Sequence, residues 1–151
     1  LKAKSVVVVV FTCNSCPVAE DYEPRIMAFA KKHGGADGHV AIVAINVNKV
    51  PEDRLDKMTE RAKEREFNFA YLHDESQKIA KSFGATYTPE FFVLDKDRKI
   101  AYMGAMDDKG PPAEPTTSFL DRAVEATLKG EKVTKAETLA RGCKVRYVRP
   151  R

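Results

Sequence analysis

Five consecutive valines, Val6–Val10, run directly into Phe11-Thr12-Cys13-Asn14-Ser15-Cys16-Pro17. A β-branched run without polar alternation suits a strand buried on both faces, the central position in a helix-covered sheet. After Pro17 the apolar residues Val18, Tyr22, Ile26 and Phe29 recur at helical spacing through Lys32, and His33-Gly34-Gly35 ends the pattern. Pro24 lies inside it and predicts a kink. A buried strand thus delivers two cysteines, two residues apart, to the start of a helix. Unpaired amides and the helix dipole favour a thiolate there. The expectation is an exposed Cys13 sulfur of lowered pKa as nucleophile, with Cys16 one turn on to close a disulfide with it.

The short loop Gly34–Gly38 leads to a second apolar run, Val40–Ile45, which completes a right-handed βαβ unit. The cysteines then sit at the carboxyl edge of the first strand, where open α/β sheets place their chemistry. Residues 49–66 are highly charged, with Leu55, Met58 and Ala62 at helical spacing, and read as a solvated surface helix. Phe67–Leu72 reads as extended. Ser76–Phe83 reads as a brief helix capped by Asp74 or Ser76 and stopped by Gly84. Glu90–Leu94 and Ile100–Gly104, joined through Asp95–Arg98, read as a hairpin. Gly110–Pro115 is a loop, and Phe119–Leu128 a last helix ended by Gly130. Val145, Tyr147 and Val148 suggest a final strand. The fold class is α/β, a central mixed sheet flanked by helices, with residues 1–130 as one domain and 131–151 as a basic tail packed on it or trailing from it.

Composition narrows the function. At 151 residues with 43% hydrophobic content the chain can build one real core. Three cysteines are too few for a disulfide-stapled scaffold, so the Cys13/Cys16 pair reads as redox or metal chemistry. No apolar run is long enough to span a bilayer. Residues 129–151 hold eight Lys/Arg against Glu131 and Glu137, but Tyr147 is their one aromatic and no nucleic-acid reading motif accompanies them. Nucleic acid is therefore not an expected partner. Lys2 and Lys4 before the valines imitate a signal peptide too weakly to be one, and the compartment stays open between cytoplasmic and extracytoplasmic.

The blocks Phe11–Val18, Pro51-Glu52-Asp53, Phe67–Ser76, Gly84–Asp95, Asp107-Asp108 and Gly142-Cys143 together resemble the thioredoxin-like redoxins of the alkyl hydroperoxide reductase/thiol-specific antioxidant group. The resemblance implies a thioredoxin-like fold, here without the usual N-terminal hairpin, as expected of an excised domain. It also implies that Thr88-Pro89 is the cis-proline loop held against the active disulfide. Thr88, Pro89 and Thr12 would then contact substrate, the Thr88 backbone pairing with an extended substrate strand.

The implied activity is thiol–disulfide exchange by a monomer on protein or small-molecule disulfides, without a cofactor. Thioredoxins proper place a buried Asp where this chain has Val7, so the proton acceptor for Cys16 is sought at Glu20, one turn on, or Glu90. Each is otherwise a plain surface carboxylate. Peroxide reduction is the second reading. Its usual Thr, three residues before the reactive cysteine, is replaced by Val10, and Arg25 or Arg98 would have to supply the arginine. A third class is a soft copper or zinc site formed by Cys13, Cys16 and His73. His33 and His39 are weaker candidates. Cys143 is either a structural cysteine or a third redox thiol.

Overall fold

The computed structural model describes residues 1–35 and 38–149. The loop expected at Gly34–Gly38 and the end of the expected tail therefore lie partly outside the described residues. Strand β1 (Val6–Thr12) is buried at every position. It pairs in parallel with β2 (Val40–Asn46) and antiparallel with β5 (Glu90–Leu94). Strand β3 (Ala70–His73) extends the sheet beyond β2, and β6 (Ile100–Gly104) extends it beyond β5, giving the order β3-β2-β1-β5-β6. The valine run occupies the centre of a mixed sheet, as its composition requires.

Because side chains alternate along a strand, the valines divide between two cores. Val6, Val8 and Val10 pack with Tyr22, Ile26 and Phe29 of α1 (Pro17–His33) and with Leu120 and Val124 of α4 (Phe119–Leu128). Val7, Val9 and Phe11 face Phe92, Ala85, Val145 and Ala80 of α3 (Lys78–Phe83). Phe11, Phe83 and Phe92 close this second core edge to face, with centroids 5.2–5.6 Å apart.

The helix α1 continues through Pro24 as one element. The charged stretch is not one helix: a single 3-10 turn, Pro51–Asp53, precedes α2 (Leu55–Glu64). The third helix starts later than its sequence suggests, because Gln77 takes a left-handed conformation (φ 59°) at its N-cap. Asp74 still ties down the start, its Oδ2 accepting from the Ala80 amide. The expected final strand is displaced. The paired residues are Cys143–Lys144, strand β7, which lies antiparallel to β4 (Tyr87–Thr88). Val145 instead enters the core. No described helix is long and apolar enough to cross a membrane.

The two-core arrangement makes Phe92 a keystone. Phe92→Ala is expected to cost about 3–5 kcal/mol of unfolding free energy, read from the urea midpoint at unchanged m-value. A loss below about 1 kcal/mol would contradict the packing.

Candidate active site

The carboxyl ends of β1, β2 and β3 and the start of β5 meet at one edge of the sheet, and the chain beyond them builds the site. Cys13 follows β1, Asn14 and Ser15 form a turn, and Cys16 is the N-cap of α1. The sulfur at the helix terminus is thus Cys16, whose Sγ accepts from the Ala19 amide at 3.4 Å. Cys13 was expected exposed at that terminus. It is instead 2% exposed, and Cys16 1%, because the turn, the Thr88 loop and the C-terminal segment close over both.

The largest departure from expectation lies in the charged stretch. Asp53, in a run that reads as a solvated face, is fully buried. One carboxylate oxygen accepts from the Asn14 amide (2.6 Å), the Ser15 amide (3.2 Å) and Asn46 Nδ2 (3.0 Å). The other accepts from Ser15 Oγ (2.5 Å). The amides following Cys13, expected to stabilise a negative charge on its sulfur, are therefore already satisfied by a carboxylate. Around this centre the Tyr71 hydroxyl donates to Asn14 Oδ1 at 2.8 Å, and burial pushes its pKa up so that it keeps that proton. Asn48 Nδ2 reaches Ser15 Oγ at 3.4 Å.

Cys13 and Cys16 pack together in one buried cluster, and each shifts the other's ionisation. For Cys16 the neighbouring Cys13 thiol lowers the pKa most; burial opposes it, and the Cys143 thiol and the Ala19 amide add to the lowering. For Cys13 the neighbouring Cys16 raises the pKa most, followed by burial, and Asp53 adds to the rise. Two hydroxyls face Cys13 Sγ, Thr88 Oγ1 at 3.3 Å and Ser15 Oγ at 3.7 Å. The single proton of Ser15 is held by the much nearer Asp53 carboxylate. Of the two thiols, Cys16 is thus the more readily ionised and Cys13 the one that holds its proton more tightly.

The Thr88-Pro89 peptide is cis. Thr88 touches both sulfurs: its hydroxyl faces Cys13, and its carbonyl oxygen accepts from the Cys16 thiol at 3.2 Å. Its backbone edge, expected free for a substrate strand, is paired with Cys143 of β7. Cys143 packs against the cluster of Cys13, Cys16 and Ala19. Burial, then the neighbouring Cys16, push its pKa up to about 11.

The other sequence candidates lie elsewhere. Glu20 is ion-paired with Arg65 (2.7 Å) and Arg61 (3.2 Å). Glu90 is buried, but its carboxylate accepts from the Thr86 and Tyr87 amides (2.7 and 3.1 Å) and so braces the turn before Pro89. Thr12 is buried in β1 opposite Asn46. Arg25 is held by Asp107 (2.7 Å) and the carbonyls of Lys109 and Ala113. Arg98 binds the carbonyls of Leu1, Lys4 and Asp95. His33 contacts Asp121 at 2.5 Å. His73 ends β3, and among the described residues no group of three or more His, Cys, Asp or Glu side chains is arranged to hold a metal. The Cys13/Cys16/His73 metal set is thus not assembled.

The sequence model of the family described as Redoxin matches residues 1–120. The chain belongs to the Redoxin family. Among solved structures, this redoxin is similar to a hypothetical protein of Sinorhizobium meliloti at 33% identity and TM-score 0.88, over 97% of this chain and 82% of that one. An uncharacterized conserved protein of Geobacillus kaustophilus shares 31% identity at TM-score 0.89, over 99% and 81%. A thioredoxin-family thiol:disulfide interchange protein of Chlorobium tepidum shares 22% identity at TM-score 0.62, over 84% and 81%, a likeness of fold. None of the curated proteins compared matches significantly. The thioredoxin-like fold and the redoxin assignment agree with the resemblance carried by the sequence blocks.

Asp53→Ala strips four donors of their acceptor, and hydrogen bonds to a charged group contribute about 1.5–3 kcal/mol each. Since such bonds are not additive, a total loss of about 3–5 kcal/mol in denaturant unfolding is expected. A loss below about 1 kcal/mol, the range of an exposed carboxylate, would contradict the assigned role.

Proposed function

We propose that the chain is a thiol–disulfide oxidoreductase whose working pair is Cys13 and Cys16. The observation that carries this reading is geometric: two adjacent buried thiols, both touched by Thr88 of the cis Thr88-Pro89 peptide, with the ionisation of Cys16 shifted down and that of Cys13 shifted up. As Cys13 attacks a substrate disulfide, the Cys16 thiolate takes its proton. A Cys13–substrate bond forms, the substrate S–S bond breaks, and one substrate thiolate leaves. Cys16 then gives up its proton to that leaving thiolate or to water and attacks Cys13. The second substrate sulfur leaves as a thiolate, which takes a proton from water, and the Cys13–Cys16 disulfide closes. Cys16 thereby supplies the proton acceptor for the first step, a role sought in the sequence at Glu20 or Glu90. Thr88 and Pro89 border the sulfurs where a substrate would approach, and Thr12, the last residue of β1, directly precedes Cys13.

Peroxide reduction is the weaker reading. It rests on the family resemblance, while Arg25 and Arg98 are both engaged away from the sulfurs.

Disulfide reduction and peroxide consumption are to be measured side by side on the wild type, Cys13→Ser and Cys16→Ser. Disulfide turnover is expected to fall to background in both variants. Undiminished turnover in Cys13→Ser would refute the assignment. Peroxide turnover that survives in Cys16→Ser and is lost in Cys13→Ser would favour the peroxidase.

A further inference from the structure

The C-terminal segment occupies the place where a substrate strand would pair. Strand β7 lies antiparallel to β4 with Cys143 directly opposite Thr88, and Thr88 Oγ1 reaches the Cys143 carbonyl at 3.5 Å. The approach is so close that a Cβ at Gly142 would run into the Thr88 carbonyl, and Gly142 has φ 155°. Only glycine fits there without displacing the strand.

The segment is tied to the site on both sides. Asn48, which reaches Ser15 in the cysteine turn, accepts from the Arg146 amide at 3.0 Å. The buried Gln77 donates to the Arg146 carbonyl and accepts from the Val148 amide. Val145 is buried in the second core, and the Tyr147 hydroxyl donates to the Ala85 carbonyl at 2.6 Å. These bonds hold Cys143 against Cys16 in an apolar pocket with Cys13 and Ala19. Cys143 is half-buried, whereas the other two cysteines are sealed from solvent.

We infer that Cys143 is a third redox thiol, an in-chain substrate that takes the disulfide from the buried pair and presents it at the surface. The inference rests on the oxidoreductase reading above. Once a substrate disulfide has oxidised the pair, the Cys143 sulfur attacks Cys16 Sγ. The Cys16–Cys143 bond forms and the Cys13–Cys16 bond breaks. Cys13 leaves as a thiolate and receives the proton given up by Cys143, so the exchange involves no net oxidation and needs no further reactant. An external thiol reductant then reaches the new disulfide at its half-exposed sulfur.

The relay is gated by the state of the pair. In the reduced protein burial, and after it the neighbouring Cys16, keep Cys143 protonated. When Cys16 enters a disulfide its part of that effect is lost, and the Cys143 pKa moves down toward its ordinary value. Cys143 becomes a nucleophile when there is a disulfide beside it to attack.

The test is disulfide mapping. Reduced wild type, Cys13→Ser and Cys143→Ser are treated with oxidised glutathione, quenched in acid, alkylated, digested with trypsin and sequenced by tandem mass spectrometry. Expected in the wild type are two oxidised forms, one with Cys13–Cys16 and one with Cys16 linked to the Gly142–Lys144 peptide and Cys13 alkylated. Cys13→Ser is expected to form Cys16–Cys143, and Cys143→Ser only Cys13–Cys16. Cys143 recovered alkylated or glutathionylated in every oxidised wild-type molecule, beside a normal Cys13–Cys16 bond, would overturn the relay and leave the oxidoreductase reading standing. Absence of Cys13–Cys16 from both wild type and Cys143→Ser would overturn the oxidoreductase reading, and the relay with it.

Discussion

The carboxylate of Asp53 is the constraint on which the active edge of this redoxin depends. Fully buried, it collects the two amides after Cys13, the Ser15 hydroxyl and the Asn46 amide. A charge taken out of water is tolerable only with this many donors. Satisfying it fixes the turn between the cysteines. It also adds to the electrostatics: the amides that would have favoured a thiolate at Cys13 are consumed, and Asp53 joins Cys16 and burial in raising the Cys13 pKa. Ionisation is easier at Cys16, at the helix N-cap, where Cys13, Cys143 and the Ala19 amide lower its pKa.

The frame that makes this possible is the valine run. Its alternate side chains bind α1 and α4 to one face of the sheet and α3 with the C-terminal segment to the other. That anchors the ends of β1, β2 and β5 at one edge, so that residues far apart in sequence converge there. Thr88 stands at the crossing, touching Cys13, Cys16 and Cys143 together. The structure is therefore less a dithiol open to solvent than a covered three-thiol cluster whose cover is part of the chain.

What the sequence revealed follows from the range of the interactions involved. The central strand, the βαβ unit, the hairpin after Pro89 and the last helix are set by local periodicity and turn residues, and all are legible. The cysteine spacing and Thr88-Pro89 are local too. Asp53 was hidden because its meaning depends on Asn14 and Ser15, on a different element, while its neighbours Glu52, Arg54 and Asp56 are ordinary surface charges. The one local sign was the Pro51-Glu52-Asp53 block. Strand β7 was hidden because two residues cannot show alternation, and its pairing with β4 is a tertiary event. Gly142 beside Cys143 was the available clue, since a glycine with no turn to make often marks a close approach of backbones.

The central claim is that the buried, covered cysteine cluster makes Cys16, at the helix N-cap, the more acidic of the two thiols. The most direct measurement is an NMR pH titration of the cysteine β-carbon shifts in the reduced protein, with Cys13 and Cys16 assigned individually. The account predicts that Cys16 ionises below the ordinary thiol range and Cys13 above it. Ionisation of Cys13 at lower pH than Cys16 would contradict it.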